Sequence, residues 1–307
     1  MITKITLTDS YGNIYELPHK NLKLSAYAFS KATSLEISVV SRDLFVEQGN
    51  TLSLYINGNL YFLGKIFEFS SDYNEISITA YDNLLYFKSK DTILVKNTTA
   101  STLLKEVCAK IGLHTGSIID TSYCLPYTLY ENTSYFDIFS SILDSTSQIS
   151  AKNYVLSDKL GYITLVEQNC YSKTIEVDEK FLLSTYSHTS AQDTCNVVHV
   201  YQISETGEIS SFYAYNEQSI SKIGKIQKSL NVDRNLSTAQ CNLIAQNTLQ
   251  ENENTSFYLE ISIIALEIVN IYDILQMNGG YYQVLESILN ISGSSETYSL
   301  LLERVVN

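Results

Sequence analysis

The chain of 307 residues contains no tryptophan, four histidines and only two prolines, Pro18 and Pro126. No two histidines lie within ten residues of each other, which argues against a His-rich metal site. The sequence also lacks a P-loop, a GxSxG elbow and an HExxH motif, so it carries none of these signals for nucleotide binding, serine hydrolysis or zinc proteolysis. It has no Pro- or Gly-rich linker, and we therefore expect its domains to pack together.

Cysteine is scarce and has no motif spacing. The five cysteines are Cys108, Cys124, Cys170, Cys195 and Cys241. Their number is odd, and the N-terminus lacks the charged-then-apolar pattern of a secretory signal, so we expect reduced thiols in a cytosolic product. The longest strongly apolar stretch, residues 261–269, includes Glu267 and is about half the length of a membrane-spanning helix. No membrane insertion is therefore predicted.

Basic residues are few, with 20 Lys and Arg against 33 Asp and Glu. Residues 177–307 hold 6 basic and 15 acidic side chains, which is nine of the thirteen excess negative charges. Affinity for DNA comes largely from cations that neutralise phosphates, and the chain offers no basic stripe for this purpose. The sequence therefore predicts no sequence-specific nucleic-acid binding and a largely solvated acidic surface.

A β-pattern occurs twice, near the two ends of the chain. Residues 50–81 and residues 271–304 both read as strand, Asn-Gly turn, strand, polar turn and strand. An Asn-Gly pair between alternating apolar residues is a strong hairpin signal, because a type I′ turn needs positive φ at both central residues. The repeat predicts two related β-units, although similar meanders also arise by chance in β-rich chains.

Between these units the hydrophobic period changes from two to that of a helix. An apolar stripe predicts a helix that starts after Thr98 or Thr99 and ends near Gly112. A second helix is predicted from Ser134 to about Gln148, with a capping box at its start. A hairpin over residues 154–166 follows.

The predicted fold is mainly β with an α/β insert, an α+β arrangement of three parts. Residues 1–95 form a first β-barrel, residues 96–173 the α/β insert and residues 174–307 a second β-barrel. Short strands at close spacing favour such barrels or sandwiches. A capping box predicts one further helix within the second barrel, near residues 237–252.

Candidate chemical residues are few. His188 lies near Asp193, and Glu205 and Glu208 flank an apparent turn, but polar and acidic residues in such positions are usually solvated. His199, on a predicted strand, is interpreted as structural, and the Asp178-Glu179 pair as a solvated edge. We predict no catalytic, cofactor-binding or metal-ligating residues. The 24 tyrosines favour filled strand faces and subunit contacts, with sugar binding as the alternative.

Five segments carry a family resemblance: residues 81–91 (YDNLLYFKSKD), 96–107 (KNTTASTLLKEV), 120–126 (DTSYCLP), 136–139 (FDIF) and 231–237 (NVDRNLS). On these segments the chain resembles the baseplate hub proteins of contractile phage tails and phage-tail-like bacteriocins. The likeness is to the PBSX-type hubs and, more broadly, to late control protein D and the N-terminal part of VgrG. The usual Gly-Asp before the barrel strand is Gly49-Asn50 here and Tyr272-Asp273 in the second copy, which weakens the match at those turns.

The resemblance implies a structural protein with two tail-tube-like β-barrels that flank the α/β insert. Three chains would form a homotrimeric ring with six barrels, and this ring would join the six-fold tail tube to the three-fold central spike. The implied partners are the tube protein, the spike protein, the tape-measure protein and other baseplate proteins. The implied location is the baseplate of a virion or phage-tail-like particle, with no cofactor. A cell-wall hydrolase and a glycan-binding receptor module of the same particle are the alternatives.

The uneven charge suggests one more hypothesis within this resemblance. If the acidic residues of the last third face the channel of the ring, they would let DNA or tape-measure protein pass without adhering. Neutralising the channel-facing acids should then slow ejection.

Overall fold

The computed structural model describes residues 1–28, 31–40, 44–150, 152–168, 173–191, 194–232, 234–252 and 256–305. Two residues considered above, Cys170 and Asp193, fall outside these ranges. The described chain is mostly β, with large antiparallel sheets.

Seven strands form the N-terminal β-unit: β1 (Thr3–Thr8), β2 (Ile14–Leu17), β3 (His19–Tyr27), β4 (Ser34–Val39), β5 (Thr51–Ile56), β6 (Asn59–Ser71) and β7 (Ile76–Tyr81). They lie side by side in the order β2-β1-β5-β6-β7-β4-β3. Along β4 the apolar residues Leu35, Ile37 and Val39 are buried, while Glu36 and Ser38 between them are partly exposed. This is the predicted two-residue alternation of a sheet with one buried face.

A 3₁₀ helix at Asn83–Lys88 leads into the α/β insert: β8 (Lys90–Val95), α1 (Ala100–Lys110), β9 (His114–Ile118), β10 (Thr128–Ser134), α2 (Tyr135–Ser150), β11 (Tyr154–Lys159) and β12 (Tyr162–Glu167). β8 pairs with β10, and β12 pairs with both β11 and β9. The strand at 90–95, which the predicted boundary assigns to the first barrel, thus pairs within the insert. The division of the chain into domains otherwise stays a prediction.

Both predicted helices of the insert are confirmed, together with their ends. Thr99 is the N-cap of α1, and its Oγ1 accepts a hydrogen bond from Thr102 N at 3.2 Å. Gly112, just past the helix end, has φ of 74°, which a residue without a Cβ adopts at low cost. At the start of α2, Ser134 Oγ accepts from Asp137 N at 3.2 Å.

The C-terminal part begins with β13 (Thr174–Glu176), a 3₁₀ turn at Glu179–Phe181 and β14 (Leu182–Ser190). Its remaining elements are β15 (Val197–Ile203), β16 (Ile209–Tyr215), α3 (Glu217–Ile223), β17 (Gln227–Asn231), α4 (Thr238–Asn252), β18 (Ser256–Ile264), β19 (Ile274–Met277), β20 (Gly280–Ser292) and β21 (Ser295–Arg304).

The predicted helix near 237–252 is confirmed as α4. Its capping box is present, since Gln240 N donates to Ser237 Oγ at 3.3 Å and Ser237 N donates to Gln240 Oε1 at 2.9 Å. The helix does not lie in the large sheet's core, however. It packs on a separate three-stranded sheet of β15, β16 and β17, with a core that includes Val198, Val200 and Ile244.

The two β-units share one sheet. The sheet has thirteen strands, of which eleven follow the path β14-β18-β21-β20-β3-β4-β7-β6-β5-β1-β2. The other two are β19, which pairs with β20, and β13, which pairs with β19. One continuous apolar cluster fills the core beneath it and includes residues from both ends of the chain, such as Ile5 and Leu302. The expectation that the chain's parts pack together is therefore confirmed for the two β-units.

Candidate functional site

The two β-units repeat the same arrangement of five strands. In chain order, β3, β4, β5, β6 and β7 correspond to β14, β18, β19, β20 and β21. Across the sheet the first set is ordered β3-β4-β7-β6-β5 and the second β14-β18-β21-β20-β19. The second unit differs by an insertion between β14 and β18, which holds β15–β17, α3 and α4. The repeat in the sequence is thus a repeat of topology.

Local backbone details repeat as well. Asn57 and Asn278 both have φ of 50°, and the glycines that follow them, Gly58 and Gly279, have φ of 84° and 73°. Both hairpins therefore have the positive φ at two central residues that the Asn-Gly pairs predict.

Irregularities in the strand pairing also fall at equivalent positions. In its pairing with β7, β6 has one unpaired residue immediately before Glu68. In its pairing with β21, β20 has one unpaired residue immediately before Glu286. Near their first residues, β3 skips one residue before Asn21, and β14 skips one before Ser184. A β-bulge sets the register on both of its sides. The bulges therefore equate Glu68 with Glu286 and Asn21 with Ser184.

The units are joined edge to edge by the antiparallel pairing of β3 with β20, from Asn21 opposite Ser292 to Tyr27 opposite Glu286. On the core side Leu24 lies opposite Leu289, at 8% and 1% exposure. This junction combines a backbone ladder with apolar burial, so the two units cannot separate without exposing core side chains.

Small polar side chains cover the face of the shared sheet that points away from the core. Residues on neighbouring strands meet there, for example Asn21 with Ser38 and Ser292. The face includes Ser34, Ser77, Thr79, Ser262, Asn290, Thr297 and Ser299. Two shallow depressions lie on it, one over β3, β4, β7 and β20 and one over β14, β18, β20 and β21. We call this surface the serine-rich face.

The charged residues of the serine-rich face are mostly acidic. Lys23 Nζ lies 3.1 Å from Glu36 Oε1, so this pair is close to neutral. Glu260, Glu286 and Glu303 lie on β18, β20 and β21, and none of them has a cation within 4.0 Å among the described residues. Burial raises the pKa of Glu303. Glu68 on β6, the counterpart of Glu286, lies opposite Thr79 of the same face, so both units contribute acidic side chains to it.

Two carboxylates anchor the α/β insert to the first β-unit. Asp82 accepts hydrogen bonds from Leu84 N and Thr33 N, both at 3.0 Å, and Asp158 accepts one from Asn83 N at 2.9 Å. Burial, assisted by the charge of Asp158, raises the pKa of Asp82 to about 7. These contacts position the insert and leave the carboxylates enclosed.

The histidine candidates occupy structural surroundings. His199 Nε2 lies 2.9 Å from Ser211 Oγ, and its ring stacks on Tyr213 with centroids 4.4 Å apart. The interpretation of His199 as a structural residue agrees with these contacts. The His188 ring lies 5.3 Å from the Tyr258 ring, whereas its proposed carboxylate partner falls outside the described residues.

The acidic candidates are exposed. Glu205 forms a 2.8 Å ion pair with Arg234 beside a turn at Gly207, and both charged side chains are more than half exposed. Asp178 caps a 3₁₀ turn by accepting from Lys180 N at 3.0 Å. Within the described ranges, no three His, Cys, Asp or Glu side chains are grouped to hold a metal ion. The helices in those ranges are too short or too polar to span a membrane.

Sequence reasoning missed two open strand edges. In the part of the chain that the structure describes, no strand pairs with the outer edge of β14, and none pairs with residues 68–71 of β6 on the side opposite β7. Leu183 and Tyr186 on β14 are 57% and 61% exposed, and Phe69 on β6 is 41% exposed. A signal was present, because β6 has 13 residues and its hairpin partner β5 has only six.

Comparison with known proteins adds a family and a group of folds. The YQBQ-like family profile matches residues 22–303. The phage-like element PBSX protein XkdQ of Bacillus subtilis is 22% identical over 246 residues, which is 78% of this chain and 75% of XkdQ. The profile spans the α/β insert and nearly all of both β-units.

Solved structures share the fold at low identity. The tail protein of Neisseria meningitidis MC58 superimposes with a TM-score of 0.71 and 12% identity, over 99% of this chain and 97% of that one. The E. coli c3393 protein, described as a type VI secretion component similar to the T4 tail proteins gp27 and gp5, gives 0.60 and 9%, over 95% and 74%. These similarities show that this chain shares the fold of those two proteins.

Proposed function

Since the chain belongs to the YQBQ-like family, we propose that it is the structural baseplate hub of a contractile phage tail or phage-tail-like particle. Three copies form a ring that joins the tail tube to the central spike. The chain acts through shape matching and apolar association, with no catalytic step and no cofactor.

One observation carries this proposal: two β-units of equal topology are joined edge to edge through β3 and β20. A single chain therefore supplies two nearly equivalent sectors of a ring. Three chains supply six sectors, so the ring presents a six-fold pattern to the tube and a three-fold pattern to the spike. Each sector is proposed to be a tail-tube-like barrel.

The serine-rich face lines the channel of this ring in our proposal. Serine, threonine and asparagine hydrate most of this surface, which also includes Tyr186, Ile288 and Leu301. A hydrated surface offers a passing chain less to adhere to than a large apolar patch. Glu260, Glu286 and Glu303, which have no cation within 4.0 Å among the described residues, add negative potential that repels DNA phosphates. Tape-measure protein or DNA would pass through the channel without being held.

The α/β insert and the β15–β17 sheet with α4 lie outside the large sheet and keep their own cores. We assign them to contacts with the spike and other baseplate proteins, because they interrupt neither the sheet nor its junction. Obligate interfaces of this kind often bury thousands of Å².

The test is the mass and image of the purified full chain, alone and with its tube and spike proteins. Light scattering should give three times the chain mass of 34.6 kDa, and negative-stain images should show a three-fold ring with six lobes. A chain that stays monomeric with both partners present would refute the hub. A zymogram on bacterial cell wall covers the hydrolase alternative, and clearing by the pure chain would support it.

A further inference from the structure

We infer that the outer edge of β14 pairs with residues 68–71 of β6 from a neighbouring copy of this chain, in the register that β3 and β20 adopt within one chain. This inference rests on the proposed ring and names the strands that close it. β14 is the counterpart of β3, and β6 is the counterpart of β20. Inside the chain, the β3-type edge of one unit is already joined to the β20-type edge of the other.

Both edges are left open within the part of the chain that the structure describes. β14 ends the strand path of the shared sheet. On β6, hairpin partner β5 reaches only Lys65, and the bulge before Glu68 starts the uncovered segment. Long open edges invite pairing with another chain, and proteins usually cover, shorten or charge them. A second copy of the chain offers each open edge the same type of partner strand that β3 and β20 provide for each other within one chain.

The bulges fix the expected register. Within the chain, Leu289 lies opposite Leu24 and Ser287 opposite Ala26. Leu289 and Leu24 have Ser71 and Ser187 as counterparts, counted from the equivalent bulges. Ser71 is therefore expected opposite Ser187 of the neighbour. Because the pairing is antiparallel, Ser70, which precedes Ser71, is expected opposite His188, which follows Ser187. By the same step, Phe69 is expected opposite Thr189.

Polar side chains on the two open edges are compatible with this pairing. His188 Nδ1 is buried and has no hydrogen-bond partner among the described residues, and the register brings the Ser70 hydroxyl to the same face of the sheet. The β3–β20 junction within one chain has a leucine pair at the position where the junction between chains would have a serine pair. The two junctions therefore share a ladder but differ in apolar burial, so the contact between chains should be the weaker one.

Disulfide trapping tests the register on the full-length chain. A C124S/C170S background removes Cys170 and Cys124, of which Cys124 is exposed, and keeps three buried cysteines. The test variants are S71C/S187C and S70C/H188C. Directly opposite residues have Cβ atoms about 4.5–5.5 Å apart, near disulfide range. The control S71C/S184C lies three residues out of register, about 10 Å away.

Mild oxidation should convert at least one test variant to covalent dimer and then trimer, with no larger species, and leave the control monomeric on a non-reducing gel. Equal cross-linking of test and control variants, or ladders beyond trimer, would overturn the register or the closure. A trimer by light scattering without cross-linking at either test pair would overturn the edge pairing and leave the hub proposal intact. A chain that is monomeric throughout would overturn both.

A second test uses charged substitutions at exposed positions, which should leave the folding of the single chain unchanged. Ser71 and Ser187 are exposed in the single chain, so lysine at both should leave the thermal midpoint unchanged. Opposed lysines should raise the dissociation constant of the trimer at least tenfold, and S71E/S187K should restore it. If S71K/S187K and S71E/S187K assemble equally well, the two positions do not face each other.

Discussion

Asn57 and Asn278 hold the same left-handed backbone conformation, φ of 50°, at the turns of two hairpins that are 221 residues apart in the chain. Each is followed by a glycine with positive φ, and each hairpin continues into a long strand that bulges before a glutamate. This equivalence extends from single dihedral angles to strand order. Equivalent substitutions in the two β-units should therefore have similar effects on stability.

The first prediction concerns the turn glycines. Gly58→Ala and Gly279→Ala should each lower the free energy of unfolding by about 1 kcal/mol, because a Cβ is strained at φ of 84° and 73°. Nothing lies within 4 Å of the added Cβ at either site, so strain is the only expected cost. Urea denaturation measures both, with Asn278→Gly as a control expected near zero. Clearly unequal losses would contradict the equivalence of the turns.

The second prediction concerns the junction between the units. Leu289→Ala should cost roughly 3 kcal/mol, because it removes a side chain that is 1% exposed and opposite Leu24. Asn290→Ala, on the other face of the same strand, should cost much less. Thermal or urea denaturation separates them. If both variants unfold at the same midpoint, the leucine pair does not secure the junction.

The third prediction is a pH dependence of stability. Asp82 has a folded-state pKa of about 7, above its ordinary value of 3.8, so the native state binds more protons than the unfolded state between these pH values. Its contribution therefore falls as pH rises from about 4 to about 7 and stays low above that.

Asp158→Asn removes the neighbouring charge and should lower the pKa of Asp82, so the loss of stability between pH 5 and pH 8 should shrink. Urea denaturation of both proteins at several pH values gives the difference, which contains the altered titration of Asp82 and the lost titration of Asp158, whose own pKa burial raises. The remaining titrating groups largely cancel. An identical pH dependence in the two proteins would show that the two carboxylates are not coupled.

The fourth prediction concerns the channel. Replacing Glu260, Glu286 and Glu303 with glutamine should slow ejection from particles that carry DNA, because the channel would no longer repel phosphates. Stopped-flow release of a DNA dye measures the rate. Glu217→Gln, on α3 outside the serine-rich face, is the matched control. Normal ejection kinetics in the triple variant would count against an acidic channel.

Much of the local structure was predictable from residue pattern. The caps at Thr99 and Ser134, the capping box at Ser237 and both Asn-Gly turns depend on neighbours within four residues, and the structure contains all of them. Strand β8, which the predicted boundary at residue 95 leaves with the first barrel, pairs with β10, because strand composition does not specify the partner strand. The buried Asp82 gave no signal, since its enclosure comes from residues far along the chain.

Residue patterns alone specified most of the strands, three of the four α-helices, the Asn-Gly turns and the recurrence of one β-unit, because periodicity and turn chemistry act over a few residues. The short helix α3 was not predicted. The three-dimensional packing places β20 against β3 and gives both units one core and one polar face. It also leaves β14 and the end of β6 without a further partner strand among the described residues. Strand partners more than 250 residues apart are chosen by packing of the whole sheet, and no local pattern encodes that choice.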